Sequence, residues 1–192
     1  MKAIYRFYPF YVALAMTLLF FYTTLSGGSL SRQLLDSGLV SQAAAVKAEA
    51  SRLEQAQLTA YLASLYDKPV EAVREYVRIA WKVAADQSLP PLLLLAIIQQ
   101  ESGMDRTARN AYGAIGLMQV VPRFHPGLVR SPEELLSPRR NIAIGAHILA
   151  RYLRAAGGDL RVALRRYSGG SASYAAQVLQ REAALREVPT QI

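Results

Sequence analysis

Residues 92–98 read LLLLAII and leave no polar stripe, which constrains the chain more than any other stretch. A helix that is apolar all round has to be buried on nearly every side, so the surrounding residues must wrap it. Pro90 and Pro91 stand at its start, where a proline gives up an N–H that would have no partner. Gly103 stands at its stop. Between these signals the run ends in a single carboxylate, Glu101, placed one turn beyond Ile97 and Ile98 and therefore on the same face as core residues. Burial disfavours the charged form, and the partial negative charge of a helix C-terminus pushes the same way. Both predict a raised pKa, the property of a general acid. Taken alone, a solvated glutamate closing a core helix is an equal reading.

Downstream, Gly113 and Gly116 allow a tight turn and a close backbone approach to a ligand, although a plain turn has the same signature. Gln119 carries both a donor and an acceptor. Met118, by composition, is core filler. Asp105 is the one other acid near Glu101 in sequence, and it lies just past the helix stop, where it caps the next turn. This spacing gives Glu101 no partner acid.

Four pieces now stand in order: Glu101-Ser102-Gly103; residues 113–119 (GAIGLMQ) with Pro122; Asn141-Ile142 with Gly145; and Tyr167. Their order and spacing resemble the lytic transglycosylases of the soluble (SLT) type, whose domain is related to goose-type lysozymes. The resemblance covers roughly residues 70–185. It implies that peptidoglycan glycan strands are the substrate, that Glu101 is the catalytic acid and base, and that Ser102, Met118, Gln119 and Tyr167 bind substrate, with no cofactor and no metal. In the family an Ala-Tyr-Asn triplet brings its tyrosine to the catalytic carboxylate. Here the triplet reads Arg166-Tyr167-Ser168, which keeps the tyrosine and exchanges the amide for a hydroxyl. As a bare residue, Tyr167 reads as core.

Composition narrows the setting. The chain has no cysteine, which excludes disulfides, thiol catalysis and a lipidated N-terminal cysteine. His125 and His147 are its imidazoles and lack metal-ligand spacing; His125 reads as a loop-packing residue and His147 as solvent-facing. The formal charge of +8 suits an anionic partner such as cell wall or lipid head groups. Nucleic acid is not expected, because no basic motif is interleaved with aromatics. Residues 8–25 carry no charge and follow Lys2 and Arg6, which predicts a signal-anchor in the inner membrane with the following domain in the periplasm. Cleavage at the small residues 26–29 would instead release the domain to the periplasm.

The expected organisation is an anchor over residues 1–28, a helical stem over 29–68 and a catalytic domain over 69–192. Leu39, Val46 and Leu53 recur at sevens with Ala43 and Ala50 between them, a thin apolar seam that suits a spacer or a short self-associating helix. Pro69 opens a helix with Val70, Val73, Tyr76, Val77, Ala80 and Val83 on one face. Trp81 beside that face reads as a domain-edge aromatic, with stacking on a sugar as the minor alternative. Ser131-Pro132, Ser137-Pro138 and Asp159 mark further helix starts. Strand-like alternation is missing, so the fold class is all-α: a lysozyme-like helical catalytic domain behind an N-terminal membrane anchor and helical stem. A goose-lysozyme-like hydrolase and a non-catalytic wall-binding scaffold in a cell-envelope complex remain as alternatives to the lytic enzyme.

Overall fold

A computed structural model describes residues 38–188. Within that range six α-helices and two short 3-10 helices follow one another: α1 (Leu39–Tyr66), α2 (Val70–Gln87), α3 (Pro91–Ser102), the 3-10 turns Pro122–Phe124 and Pro132–Leu136, α4 (Pro138–Ala155), α5 (Leu160–Tyr167) and α6 (Tyr174–Glu187). No strand occurs among the described residues, only isolated bridges from Ile115 to Arg109 and to Val120. The expected anchor at residues 8–25 lies outside the described residues. Among those described, no helix is long and apolar enough to cross a membrane.

Helix α3 starts at Pro91, stops at a left-handed Gly103, and buries every residue from Leu92 to Gln99. Six of these are Leu or Ile, and each large aliphatic side chain withdrawn from water stabilises the fold by about 1.5–3 kcal/mol. Their sum is of the same order as the net stability of a whole domain. The helix is wrapped as its composition demands: α2 packs on it from one side and α6 from another, while α4 packs against α2 and α5. Helix α2 presents Val73, Tyr76, Val77, Ala80 and Val83 to this core at helical spacing, with Trp81 half-buried at its edge. Val70 is exposed. Asp159 caps α5 by accepting from the Val162 N–H at 3.0 Å. The helix start expected at Ser131-Pro132 opens a 3-10 turn, and Glu134 accepts there from the N–H of Arg130 at 2.6 Å. His147 is half-buried rather than solvent-facing.

The chain divides into two compact units at Ser51/Arg52 rather than at the expected stem boundary of residue 68. The physical reason lies in the second half of α1, where Leu58 and Leu62 are fully buried in the same apolar core as α2 and α3. Earlier positions of the seam, Val46 and Leu53, are exposed.

Candidate active site

Glu101 sits in the last turn of α3, half-buried at one end of a cleft of about 510 Å³. Its carboxyl Oε1 accepts a 2.5 Å hydrogen bond from the Tyr174 hydroxyl, at the first residue of α6. Burial raises the Glu101 pKa, and the Tyr174 hydrogen bond offsets part of that rise by favouring the carboxylate. Burial also pushes the Tyr174 phenol up, so it remains a donor at any working pH. A second link keeps the pair in register: Arg181 on α6 donates through Nε to Gln100 Oε1 at 2.9 Å, tying α6 to the turn that carries Glu101.

The expectation that Tyr167 supplies this hydroxyl is corrected. Its O–H donates to the Met118 carbonyl at 2.9 Å, and its ring stacks beside that of Tyr174 with centroids 6.5 Å apart. Tyr174 was not singled out by sequence reasoning. It follows a Gly-Gly loop as one more aromatic on a helix face, and no local pattern separates it from a core tyrosine.

The glycine turn forms the opposite wall. Asn141, fully buried on α4, accepts from the Met118 N–H at 2.7 Å and donates to the carbonyls of Ile115 (2.8 Å) and Leu135 (2.9 Å). Three of the four bonding positions of its amide, both donors among them, are thus spent on backbone groups of the glycine turn and of the Pro132–Leu136 turn. Gly116, at φ +78°, is required twice over: the conformation is left-handed, and a Cβ there would overlap the Asn141 amide. Gly145 has the second kind of constraint, since a Cβ would lie 2.7 Å from the Met118 sulfur and 3.0 Å from the Tyr167 hydroxyl.

Two of the expected substrate contacts lie elsewhere. Met118 is completely buried against α4, so its side chain does not line the cleft. Ser102 points its hydroxyl to the main-chain carbonyls of Leu117 (2.9 Å) and Ile98 (3.1 Å), which joins α3 to the glycine turn. Gln119 and Tyr167 do line the cleft. Gln119 is held at φ +45° with its amide nitrogen donating to Ala108 and Gly116 carbonyls, both at 3.1 Å. Its side-chain oxygen is the group left for a ligand. A non-glycine residue in that backbone region costs on the order of 1 kcal/mol or more and tends to occur where function requires it.

The exposed aromatics of the cleft are Tyr112 (65% exposed) and Phe124 (56%), not Trp81. Their centroids lie 6.3 Å apart, and the Arg123 guanidinium covers both rings at 4.6 and 4.8 Å. His125 also lines the cleft, its pKa lowered by burial and by Arg151. Asp105 is tied to its own turn: it accepts from the Thr107 N–H (2.8 Å) and hydroxyl (2.7 Å), which hold its pKa below the usual carboxylate range. Ser168, in the triplet's third place, donates to the Arg165 carbonyl at 2.9 Å and shapes the loop. Among the described residues, no three acids or histidines gather as a metal site requires.

A cleft with one buried, hydrogen-bonded acid and facing aromatics is what proton-assisted cleavage of a glycan would use. The model of the transglycosylase SLT domain matches residues 79–187, more than half of the chain. The chain belongs to the SLT-domain transglycosylase family. The match begins inside α2 and takes in every residue of the cleft described above. Among curated proteins, the endo-type membrane-bound lytic murein transglycosylase A of Klebsiella pneumoniae strain 342 is 34% identical over 95 residues. The protein of the same name from K. pneumoniae subsp. pneumoniae strain ATCC 700721 / MGH 78578 shows the same identity. The aligned region is 43% of this chain and 45% of each relative, so the chain spans less than half the length of these relatives.

Proposed function

We propose that this SLT-domain protein is a peptidoglycan lytic transglycosylase that cleaves the β-1,4 bond between N-acetylmuramic acid and N-acetylglucosamine without water. One observation carries the reading: Glu101 is the single acid lining the cleft, its pKa raised by burial and its carboxyl hydrogen-bonded by Tyr174. With no second carboxylate in the cleft, neither the retaining nor the inverting two-acid scheme is available. The carboxyl proton passes to the glycosidic oxygen as the C1–O bond breaks. The carboxylate left behind takes the proton from the muramyl C6 hydroxyl, O6 bonds to C1, and Glu101 is again protonated. One group in two protonation states thus completes the cycle, and the product ends in a 1,6-anhydro ring.

Gln119 and Tyr167 are the side chains we assign to substrate, with Tyr112 and Phe124 as stacking surfaces. Ser102, Met118 and Asn141 act through the loop they hold. We assign the uncharged residues 8–25 to an inner-membrane anchor that leaves the domain facing the periplasmic wall, where cell-envelope proteins are its natural neighbours. The name of the membrane-bound relatives supports that setting.

Digestion of purified wall followed by mass spectrometry tests the reaction. The expected fragments end in anhydro-muramyl groups, about 18 Da lighter than reducing ends because no water is added. Mainly reducing ends would assign the hydrolase reading. Intact wall after digestion would assign the scaffold.

A further inference from the structure

One half-buried side chain meets three helices beside the catalytic acid. Arg181 on α6 donates through Nε to Gln100 Oε1 at 2.9 Å and through Nη1 to the Tyr66 hydroxyl at 3.4 Å, and that hydroxyl donates to Gln99 Oε1 at 3.2 Å. Gln100 in turn donates through Nε2 to Gln177 Oε1 at 3.2 Å, back on α6. The guanidinium thus bridges α1, which carries Tyr66, to the two residues that precede Glu101 in α3. Tyr174, Gln177 and Arg181 stand at i, i+3 and i+7, so one face of α6 makes all of these contacts.

The start of α6 depends on such a fixture. Its first residue holds the hydroxyl that meets Glu101, and Ser173 before it makes no capping hydrogen bond. The apolar residues that seat the first turns, Ala175 and Val178, are small, and apolar contact is non-directional, so it resists separation more than sliding. A hydrogen bond tolerates little slip, since it weakens steeply once its angle falls below about 120°. The Tyr174 contact is therefore sensitive to the register of α6 along α3. A planar guanidinium, with donors fixed toward two helices at once, sets that register; a lysine ammonium has no such fork.

Resting on the reading above, we propose that Arg181 is a positioning residue for the reaction: by joining α6 to α1 and α3 it holds the Tyr174 hydroxyl on Glu101. Arg181 does not line the cleft. The titratable and charged groups around this end of α3 are Tyr66 from α1, Tyr174 and Arg181 from α6, and Tyr167 from α5, with His125 and Arg166 in the cleft wall. Tyr76 of α2 faces Arg106 and Asp105 instead, beyond the helix stop. Burial and the Tyr174 hydrogen bond are what move the acidity of Glu101, so loss of Arg181 reaches the carboxyl through that bond.

The test measures pH profiles of kcat/KM and urea midpoints on the full chain with solubilised strands. Arg181→Met keeps the bulk of the side chain and removes the fork. Expected is a fall in kcat of roughly 10- to 100-fold with KM little changed, and an alkaline limb displaced to higher pH in the direction of Tyr174→Phe, with Arg181→Lys recovering part of both. In a Tyr174→Phe background, Arg181→Met should displace the limb no further, because both changes act on one contact. Arg186→Met, further along the same helix, breaks the ion pair with buried Glu182 and should lower the urea midpoint while the limb stays at its wild-type place. The position of a limb does not depend on how much of the protein is folded. A wild-type limb in Arg181→Met, or an added displacement in the Tyr174→Phe background, overturns the positioning role and leaves the lytic activity standing. Reducing ends among the products overturn the lytic reading and not the positioning role, which is read from the limb alone; wild-type protein that cuts no strand overturns both.

Discussion

The Glu101 carboxyl carries a conflict between stability and chemistry. Its pKa is raised in the folded protein by burial, so folding favours the protonated form. A group of this kind contributes its full stability below the unfolded pKa, and that stability is lost as pH rises through the folded value. At neutral pH the carboxylate is therefore a cost to the fold. Glu101→Gln keeps the shape and accepts the same hydrogen bond from Tyr174 but cannot donate a proton. We expect nearly complete loss of turnover together with a raised Tm at pH 7.5, about 2–4 °C for each kcal/mol recovered, a gain that disappears in acid. Calorimetry at two pH values checks it. The same sign applies to kinetics: the free enzyme must arrive protonated, so the alkaline limb of kcat/KM reports Glu101. Tyr174→Phe removes the hydrogen bond that lowers this pKa, and the alkaline limb should move to higher pH while turnover drops. A limb that stays in place would show that Tyr174 does not set the acidity of Glu101.

Between elements, the glycine turn and α4 behave as one part. Asn141 closes three hydrogen bonds to main-chain groups of a loop that has little regular structure of its own. Asn141→Ala takes that partner from a buried N–H and two buried carbonyls; the Ile115 carbonyl keeps the Val120 N–H, and each group left unsatisfied costs about 1–3 kcal/mol. The expected loss is at least 3 kcal/mol in urea denaturation, with the wall opposite Glu101 disordered. Tyr167→Phe removes one donor from the Met118 carbonyl and should cost about 1 kcal/mol, without moving the alkaline limb as Tyr174→Phe does. This contrast is where the sequence was least legible. Helix α3 was readable to the residue, because prolines, an apolar run and a glycine are local signals. The glycine turn was readable as a place. Which tyrosine meets Glu101 depends on how α6 lies against α3, a tertiary fact, and the six residues between Tyr167 and Tyr174 bring both rings to the same region. Met118 illustrates the same limit: its composition pointed to the core and its place in the motif to substrate, and the structure turns its side chain into the core while its backbone carries the contacts.

At the scale of the molecule, the apolar core sets how much chain the catalytic fold needs. Residues 69–192 contain every side chain of the cleft, and a boundary at Pro69 is the natural one to draw from the proline. The core disagrees, since Leu58 and Leu62 are fully buried in it and Tyr66 of the same helix meets the stop of α3. A Cβ on Gly103 would lie 3.3 Å from the Tyr66 ring, and the Tyr66 hydroxyl donates to Gln99 at 3.2 Å, two residues before Glu101. Removing α1 would expose the surface that the two leucines cover. Losing two fully buried leucines costs about 3–6 kcal/mol by area alone, against a typical net stability of about 5–15 kcal/mol. A protein beginning at Arg52 should therefore unfold cooperatively and cleave solubilised strands at the rate of the full chain. One beginning at Pro69 should unfold at markedly lower urea and lose turnover beyond its loss of folded fraction, because the support beneath the α3 stop has gone. Equal urea midpoints for the two truncations would return the second half of α1 to the stem.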